Sequence, residues 1–236
     1  MKKIAVVLSG CGVMDGSEIH EAVACLYALS QRGASYQCIA PDILQKRVVN
    51  HLTHEVMHES RRVLVESARI ARGDIRGLDS VSADDFSAAI YPGGFGAALN
   101  LCDFALAGSD MIIEPSILHF AQSMARAGKP QGFACIAPVM IPRIYGEGVK
   151  LTIGDDQDTA AKIDTMSGQH INADVEDVVT DNRYKVASVP AYMKANTISE
   201  VFLSINKLVE RVLAMTVDEY VSSFGVDDRH QESPGI

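Results

Sequence analysis

Short apolar runs alternate along this chain with longer segments whose apolar residues recur at helical spacing. The first run, residues 4–8, is too short for a helix and is followed by Ser9 and Gly10, so it predicts a buried parallel strand. A helix is predicted next, with Ser17 as its N-cap and Gly33 at its end. Its apolar face is formed by Ile19, Ala22, Val23, Leu26 and Leu29.

The alternation continues to residue 215, with a polar and partly helical segment at 50–72. Strands are predicted at 36–40, at 86–91, just before Cys135 and at 151–153; helices at 115–127, 158–166 and 196–215; and a hairpin at 178–189. Such alternation predicts an α/β protein with a mostly parallel sheet and helices on both faces. In such sheets ligands bind at the carboxyl ends of the strands.

The length of the chain predicts a single domain, and its net charge excludes some classes of partner. The 236 residues, 47% of them hydrophobic and 22% charged, fit a single domain, predicted at 1–215 with a polar C-terminal tail at 216–236. The net charge of -9 argues against nucleic acid and anionic membranes as partners, because both need basic surfaces. No apolar run is long enough to span a bilayer. We therefore expect a small-molecule substrate.

The five cysteines favour a reducing compartment. They are odd in number, irregularly spaced and contain no C-x-x-C pair, which is unlike a disulfide framework. Ser9, Gly10 and Cys11 resemble the cleavage box of a lipoprotein signal, but the apolar run before them covers only residues 4–8, shorter than a signal sequence requires. The sequence therefore predicts a cytoplasmic protein.

Cys135 is the candidate nucleophile. It lies between a short apolar strand and a segment with Pro138 that is predicted to start a helix. In a nucleophile elbow of this kind the thiol is exposed at the end of the sheet, and the helix dipole favours thiolate. The alternative is an ordinary buried cysteine, the most common state of this residue.

Other strand ends carry residues that could serve this thiol. Gly93 and Gly94 follow the strand at 86–91, and the backbone N–H groups of Gly94 and Ile136 could form an oxyanion hole beside Cys135. A plain tight turn would also explain the glycines. Glu18, at the start of the first helix, could shuttle a proton if it meets Cys135, although its position also suits a helix N-terminus.

Cys11, His20 and His170 are further pocket candidates, and the sequence does not place either histidine as a base for the thiol.

Two other motifs are weaker indications of a binding site. Gly10 and Gly12 begin a dinucleotide fingerprint, but Asp15 stands where its third glycine is needed. Residues 54–58 match the H-E-x-x-H zinc pattern within a polar, Arg-rich segment. We expect neither a metal nor a cofactor there.

Several segments together resemble the ElbB family of the PfpI/ThiJ superfamily, whose members are described as glyoxalases or as isoprenoid biosynthesis proteins with an amidotransferase-like domain. The resemblance covers roughly residues 1–215. It rests on residues 8–13, 15–23, 92–98, 132–138, 151–154 and 190–193.

That resemblance implies a flavodoxin-like three-layer sandwich, a nucleophilic Cys135 with Glu18 as its hydrogen-bonding partner, an oxyanion hole from Gly94 and Ile136, and a homodimer. It implies a cofactor-independent glyoxalase that acts on glyoxal or a similar small α-oxoaldehyde. Ile136 directly follows the cysteine, which argues against peptidase or glutaminase activity.

A thiol-based sensor of oxidants or electrophiles, acting through a protein partner, is the alternative hypothesis. An exposed cysteine of low pKa serves sensing as well as catalysis, and Cys11 at a neighbouring strand end could act as a resolving thiol for Cys135.

Overall fold

A seven-stranded sheet forms the centre of the protein, in the strand order β10-β11-β7-β6-β1-β2-β5. The computed structural model describes residues 3–223. The strands are β1 Lys3–Val7, β2 Tyr36–Ala40, β3 Val48–Val49, β4 Val56–Met57, β5 Ile75–Gly77, β6 Phe86–Tyr91, β7 Gln131–Ala134, β8 Lys150–Leu151, β9 Gln169–His170, β10 Val179–Asp181 and β11 Val186–Val189. All neighbours in the large sheet pair in parallel except β10 and β11.

Helices cover both faces of this sheet. They are α1 Ile19–Gln31, α2 Val63–Ile70, α3 Phe104–Ala107, α4 Pro115–Arg126, α5 Ile141–Tyr145, α6 Gln157–Thr165 and α7 Ile198–Ser223. Alternate residues of β1 face opposite layers, as the pleat of a strand requires. Val6 packs in a core with α1 and α7, and Val7 packs in a second core with α4 and α5. The predicted flavodoxin-like α/β sandwich is confirmed.

Most predicted elements are present, because strand and helix periodicities are clear in fully buried segments. The strands at 36–40 and 86–91 have the predicted bounds, and the hairpin at 178–189 is formed by β10 and β11. Predicted helix ends differ from the observed ones by one or two residues in α4, α6 and at the start of α7, and two further differences matter more. The N-cap of α1 is Glu18, since the Ser17 hydroxyl instead accepts a hydrogen bond from Ser9 N at 2.9 Å. At the other end of the chain, α7 continues past Met215 to Ser223, and residues 224–236 of the predicted tail lie outside the described part.

The H-E-x-x-H segment is not helical. Val56 and Met57 form β4, an exposed strand that pairs antiparallel with β3, and His54 has a positive φ of 66°. The motif's two histidines therefore lack the helical spacing that places them on one face in a zinc protease. Within residues 3–223, no three His, Cys, Asp or Glu side chains are grouped so that they could hold a metal ion.

None of the helices in the described part of the chain is both long enough and apolar enough to cross a bilayer.

Candidate active site

Cys135 occupies a strained turn directly after β7. Its φ is 60°, a left-handed conformation that residues other than glycine rarely adopt and that recurs at functional sites. The Cys135 N–H donates to Val189 O at 3.0 Å, so β11 holds the turn in place. A short 3₁₀ turn, Ala137–Met140, follows and leads into α5. The predicted elbow is present, although only short helical turns follow it.

Two backbone N–H groups are directed at the thiol. Gly94 and Ile136 both donate hydrogen bonds to the Cys135 sulfur. Gly94 has a φ of 95°, and a Cβ there would lie 2.3 Å from Glu18 N. A Cβ on Gly93 would lie 2.3 Å from the Cys135 Cβ. The two glycines therefore do more than permit a turn, because a side chain at 93 would meet Cys135 and one at 94 would meet the backbone just before α1.

Glu21, rather than Glu18, is the carboxyl that contacts the thiol. The Glu21 side chain is fully buried and hydrogen-bonds to Cys135. Backbone N–H groups hold both of its oxygens, since Gly93 donates to Oε2 at 2.8 Å and Tyr192 donates to Oε1 at 3.2 Å. The Glu18 carboxylate instead accepts from Glu21 N at 2.7 Å and caps α1. The assignment of Glu18 as the partner of the thiol is thus corrected to Glu21.

The hydrophobic pattern of α1 contains a signal for Glu21. This residue shares the inner face of α1 with Ala24, Cys25, Ala28 and Leu29, three, four, seven and eight residues further on, and all of them are buried. A carboxyl on the apolar stripe of a helix must find polar partners inside the protein. The position of Glu21 on this stripe therefore indicates a buried polar site.

Burial sets the protonation of the pair. It raises the pKa of Glu21 from 4.5 to about 7, against the lowering effect of the backbone donors. Burial also raises the pKa of Cys135 well above its ordinary value, and the Glu21 charge adds to that rise, while the Gly94 and Ile136 donors oppose it. Cys135 is only 8% exposed. The prediction of an exposed thiol with a lowered pKa is therefore wrong for the free protein.

Glu21 in its protonated form changes this balance. A neutral carboxyl removes the negative charge beside the sulfur and can donate its own hydrogen to it. Three donors would then face the Cys135 sulfur, namely Glu21, Gly94 N and Ile136 N. The thiol and the carboxyl are therefore best treated as one coupled acid pair.

His20 is connected to the thiol–carboxyl pair through Tyr192, a residue for which the sequence predicted no role. His20 Nδ1 is 2.8 Å from the Tyr192 hydroxyl and 3.9 Å from Glu18 Oε1. Tyr192 is also the residue whose backbone N–H donates to Glu21. The motif at 190–193 that contributed to the family resemblance thus supplies part of the site.

The other two pocket candidates lie in different surroundings. His170, in β9, accepts a hydrogen bond from Ile153 N at 3.3 Å, and burial lowers its pKa. Cys11 is half-buried, and its pKa is raised by burial and then by Glu66. Neither residue acts on Cys135 among the described contacts. We therefore place both outside the thiol site.

Known proteins related to this chain carry amidotransferase-like names. No family model matches the chain. It is 41% identical, over 91% of its length and 83% of the relative's, to a Homo sapiens protein named glutamine amidotransferase-like class 1 domain-containing protein 3, mitochondrial.

Solved structures show the same likeness. The structure of an isoprenoid biosynthesis protein with amidotransferase-like domain from Ehrlichia chaffeensis matches with a TM-score of 0.84 and 33% identity, over 91% of this chain and 99% of that one. A DJ-1 superfamily protein from Salmonella typhimurium shares the fold, with a TM-score of 0.56 and 21% identity over 94% of this chain and 97% of that one. The resemblance to ElbB proteins is confirmed.

The predicted cytoplasmic location is contradicted by the relatives. The Homo sapiens protein and the ES1 proteins of Rattus norvegicus and Danio rerio are all named mitochondrial. Free thiols are consistent with either location, because mitochondrial and cytoplasmic proteins can both keep cysteines reduced, so cysteine usage could not distinguish the two.

Proposed function

Since the chain belongs to the family of the ES1 and amidotransferase-like (ElbB) proteins, we propose that it is a glyoxalase that uses Cys135 as its nucleophile. Its substrate would be glyoxal or a similar small α-oxoaldehyde, and its product a hydroxy acid such as glycolate. The observation that carries the proposal is the enclosure of one sulfur by the Glu21 carboxyl and the N–H groups of Gly94 and Ile136.

The first step is addition of the thiol to one aldehyde carbon. A C–S bond forms, the π pair of the carbonyl moves to oxygen, and the thiol proton reaches that oxygen through Glu21, which gives a hemithioacetal. The N–H groups of Gly94 and Ile136 face the sulfur in the free protein and would lie beside the carbon that the sulfur attacks. They would stabilise the developing oxyanion.

The second step moves hydrogen from one carbon to the other. The Glu21 carboxylate removes the proton on the hemithioacetal carbon, and the electron pair forms the carbon–carbon double bond of an enediolate, whose charge lies on the oxygen of the second carbon. Glu21 returns the proton to the second carbon, the oxygen of that carbon is protonated, and the hydroxyl on the first carbon loses its proton to give a thioester. A pKa of about 7 suits Glu21 to both giving and taking protons at neutral pH. One carbon is oxidised and the other reduced, so no external oxidant is needed.

Hydrolysis completes the cycle. Water forms a C–O bond to the thioester carbon, the C–S bond breaks, and the thiol is regenerated as glycolate and a proton leave. The buried position of Cys135, 8% exposed, favours an aldehyde as small as glyoxal over a peptide or another protein. The alternative of a thiol sensor receives less support, because sensing needs an exposed cysteine of low pKa.

Glyoxal consumption by purified variants tests the proposal. We expect Cys135→Ser to lose at least about 1000-fold in kcat, while Cys102→Ser, at a buried thiol that donates to Ala97 O, keeps its turnover. Glu21→Gln should lose far more activity than Glu18→Gln, because glutamine can still cap α1. Full turnover by Cys135→Ser would overturn the proposal.

We also propose that the chain forms a homodimer, as the family resemblance implies. α1 and α7 pack side by side, and both leave apolar side chains exposed, namely Ile19, Val23 and Tyr27 on α1 and Ile198 and Leu203 on α7. Burying this face against a second copy would remove apolar area from water. Sedimentation velocity should show a dimer that Val23→Glu converts to monomers.

A further inference from the structure

The proposed reaction moves protons at two carbons, whereas one carboxyl, Glu21, bonds the sulfur. When Glu21 removes the proton from the first carbon, negative charge appears on the oxygen of the second carbon. A donor for that oxygen is needed before the carboxyl has given its proton back. The structure shows which groups border the pair on the side of α1 and β11.

Tyr192 connects the buried pair to a histidine. Its backbone N–H donates to Glu21 Oε1 at 3.2 Å, and its side-chain hydroxyl is 2.8 Å from His20 Nδ1. Ala191, just before it, has a φ of 43°, a conformation that costs free energy in a residue other than glycine. This turn directs the Tyr192 N–H at the carboxyl while its ring lies against His20.

The phenol has the protonation state of a donor. Burial raises the pKa of Tyr192 from its ordinary value, and the charges of Glu18 and then Glu21 raise it further. The hydroxyl therefore stays protonated around neutral pH.

His20 provides the connection to solvent. Its side chain is 49% exposed, so the imidazole exchanges protons with water while its Nδ1 stays within hydrogen-bond distance of the phenol. Histidine is the most common carrier of protons in catalysis. His20 and the half-buried Tyr192 thus form a hydrogen-bonded path from solvent to the turn that holds Glu21.

We propose that His20 and Tyr192 form a proton relay that protonates the enediolate oxygen of the substrate bound to Cys135. The proton on His20 Nδ1 passes to the Tyr192 oxygen as the phenol hydrogen passes to the enediolate. His20 starts as the imidazolium and is left as a neutral imidazole, which water reprotonates. The hydroxyl proton that leaves the first carbon's oxygen as the thioester forms balances the proton delivered by the relay. This inference rests on the proposed glyoxalase function.

The test is a kinetic comparison of Tyr192→Phe, His20→Gln and the double variant. Phenylalanine keeps the ring and the backbone N–H that holds Glu21, and removes only the hydroxyl. We expect each single variant to lose about 100-fold in kcat and the double variant to lose little more, because both changes break one path. Tyr184→Phe, in the hairpin turn between β10 and β11 and packed against Tyr145, is the matched control and should keep wild-type turnover.

Two further measurements separate a relay from a structural role. The alkaline decline of kcat in the wild type should be absent from His20→Gln, and added imidazole should restore turnover to His20→Ala but not to Tyr192→Phe. The rate of Cys135 alkylation at a fixed pH should be the same in all variants, which would show an intact thiol pair.

The outcomes distinguish this inference from the function on which it rests. If Cys135→Ser abolishes turnover but Tyr192→Phe and His20→Gln keep both kcat and its pH profile, the relay is wrong and the glyoxalase proposal stands. Additive losses in the double variant, or losses accompanied by altered Cys135 alkylation, would also overturn the relay. Turnover that survives Cys135→Ser overturns the proposed function itself.

Discussion

Two cysteines follow strands that are separated in the sheet only by β6, and their surroundings differ in a way that matters for chemistry. Cys11 follows β1, is half-buried, and lies near Glu66, Arg69 and Asp15, whose charges act on its pKa in opposite directions. Cys135 follows β7, is nearly inaccessible, and is held by a carboxyl and two backbone N–H donors. Cys11 is therefore the more accessible thiol for reagents in solution. The hydrogen-bond donors that face its sulfur suit Cys135 to catalysis.

The difference shows that hydrogen-bond donors directed at a sulfur do not by themselves make the thiol reactive towards electrophiles in solution. Burial raises the pKa of both cysteines, so neither is primed for unselective reaction with an electrophile. Only Cys135 has an acid whose pKa lies near 7 in direct contact. Catalysis there depends on moving a proton when substrate arrives, and each part of that arrangement can be perturbed separately.

The largest expected effect is a loss of stability on substitution of Gly94, in the backbone beside Cys135. Gly94→Ala places a Cβ 2.3 Å from Glu18 N at a φ of 95°, which we expect to cost about 4 kcal/mol or more and to lower Tm by about 10 °C. Gly33→Ala, at a φ of 63° with nothing within 4 Å, is the control and should cost about 1 kcal/mol. Thermal unfolding of both variants measures this. Equal losses would show that strain alone, and not the crowded site, explains the glycine at 94.

The sequence predicted the sheet and the position of the thiol, because buried strands and the turn after β7 follow from local patterns. It also identified Gly94 and Ile136, whose N–H groups meet the sulfur. It missed Glu21 and Tyr192. Glu21 lies on the buried stripe of α1, whereas Glu18 precedes the first helical residue and its carboxylate caps the helix.

The contribution of Tyr192 could not be read from the sequence for a different reason. Its N–H reaches Glu21 across 171 positions of the chain, and the turn that aims it depends on a positive φ at Ala191, a residue type that gives no sign of one. His170 was a candidate for the pocket, and the structure instead places it in β9, where it accepts a backbone hydrogen bond from Ile153.

The second prediction concerns the pH dependence of stability. Because the folded protein raises the pKa of Glu21 from 4.5 to about 7, the native state holds a proton that the unfolded chain releases. This contribution is fully present below pH 4.5 and is lost as pH rises to about 7, a change of about 3 kcal/mol. Glu21→Gln should lack this decline, so its free energy of unfolding relative to wild type should rise by that amount across the window.

Denaturant unfolding of wild type and Glu21→Gln at several pH values measures this difference. The comparison isolates Glu21 from other groups, such as His170, whose lowered pKa contributes in both proteins with the opposite sign. Glu18→Gln is the control, and its curve should run parallel to that of the wild type. A constant difference between wild type and Glu21→Gln would show that the carboxyl is ionised throughout.

A smaller effect of Glu21 is expected on the rate at which Cys135 is alkylated. Above pH 7 the ionised Glu21 opposes the Cys135 thiolate, so we expect iodoacetamide to label the more exposed Cys11 first. Glu21→Gln removes that charge and should speed labelling of Cys135, because no neighbouring carboxylate then opposes the thiolate. Peptide mapping after limited alkylation gives both rates. Faster labelling of Cys135 than of Cys11 in the wild type would show that the donors at Gly94 and Ile136 outweigh burial.

The smallest effect is expected for Cys11→Ser. The groups that set the pKa of Cys11 are Glu66, Arg69 and Asp15, and none of them acts on Cys135 among the described contacts. Serine is close to cysteine in size, and the half-buried position can solvate its hydroxyl, so glyoxal turnover should stay within about twofold of the wild type. A loss comparable to that of Cys135→Ser would place the two thiols in one mechanism and would restore Cys11 as a resolving cysteine. Steady-state kinetics before and after mild peroxide treatment would distinguish these cases, because a resolving thiol protects activity only under oxidation.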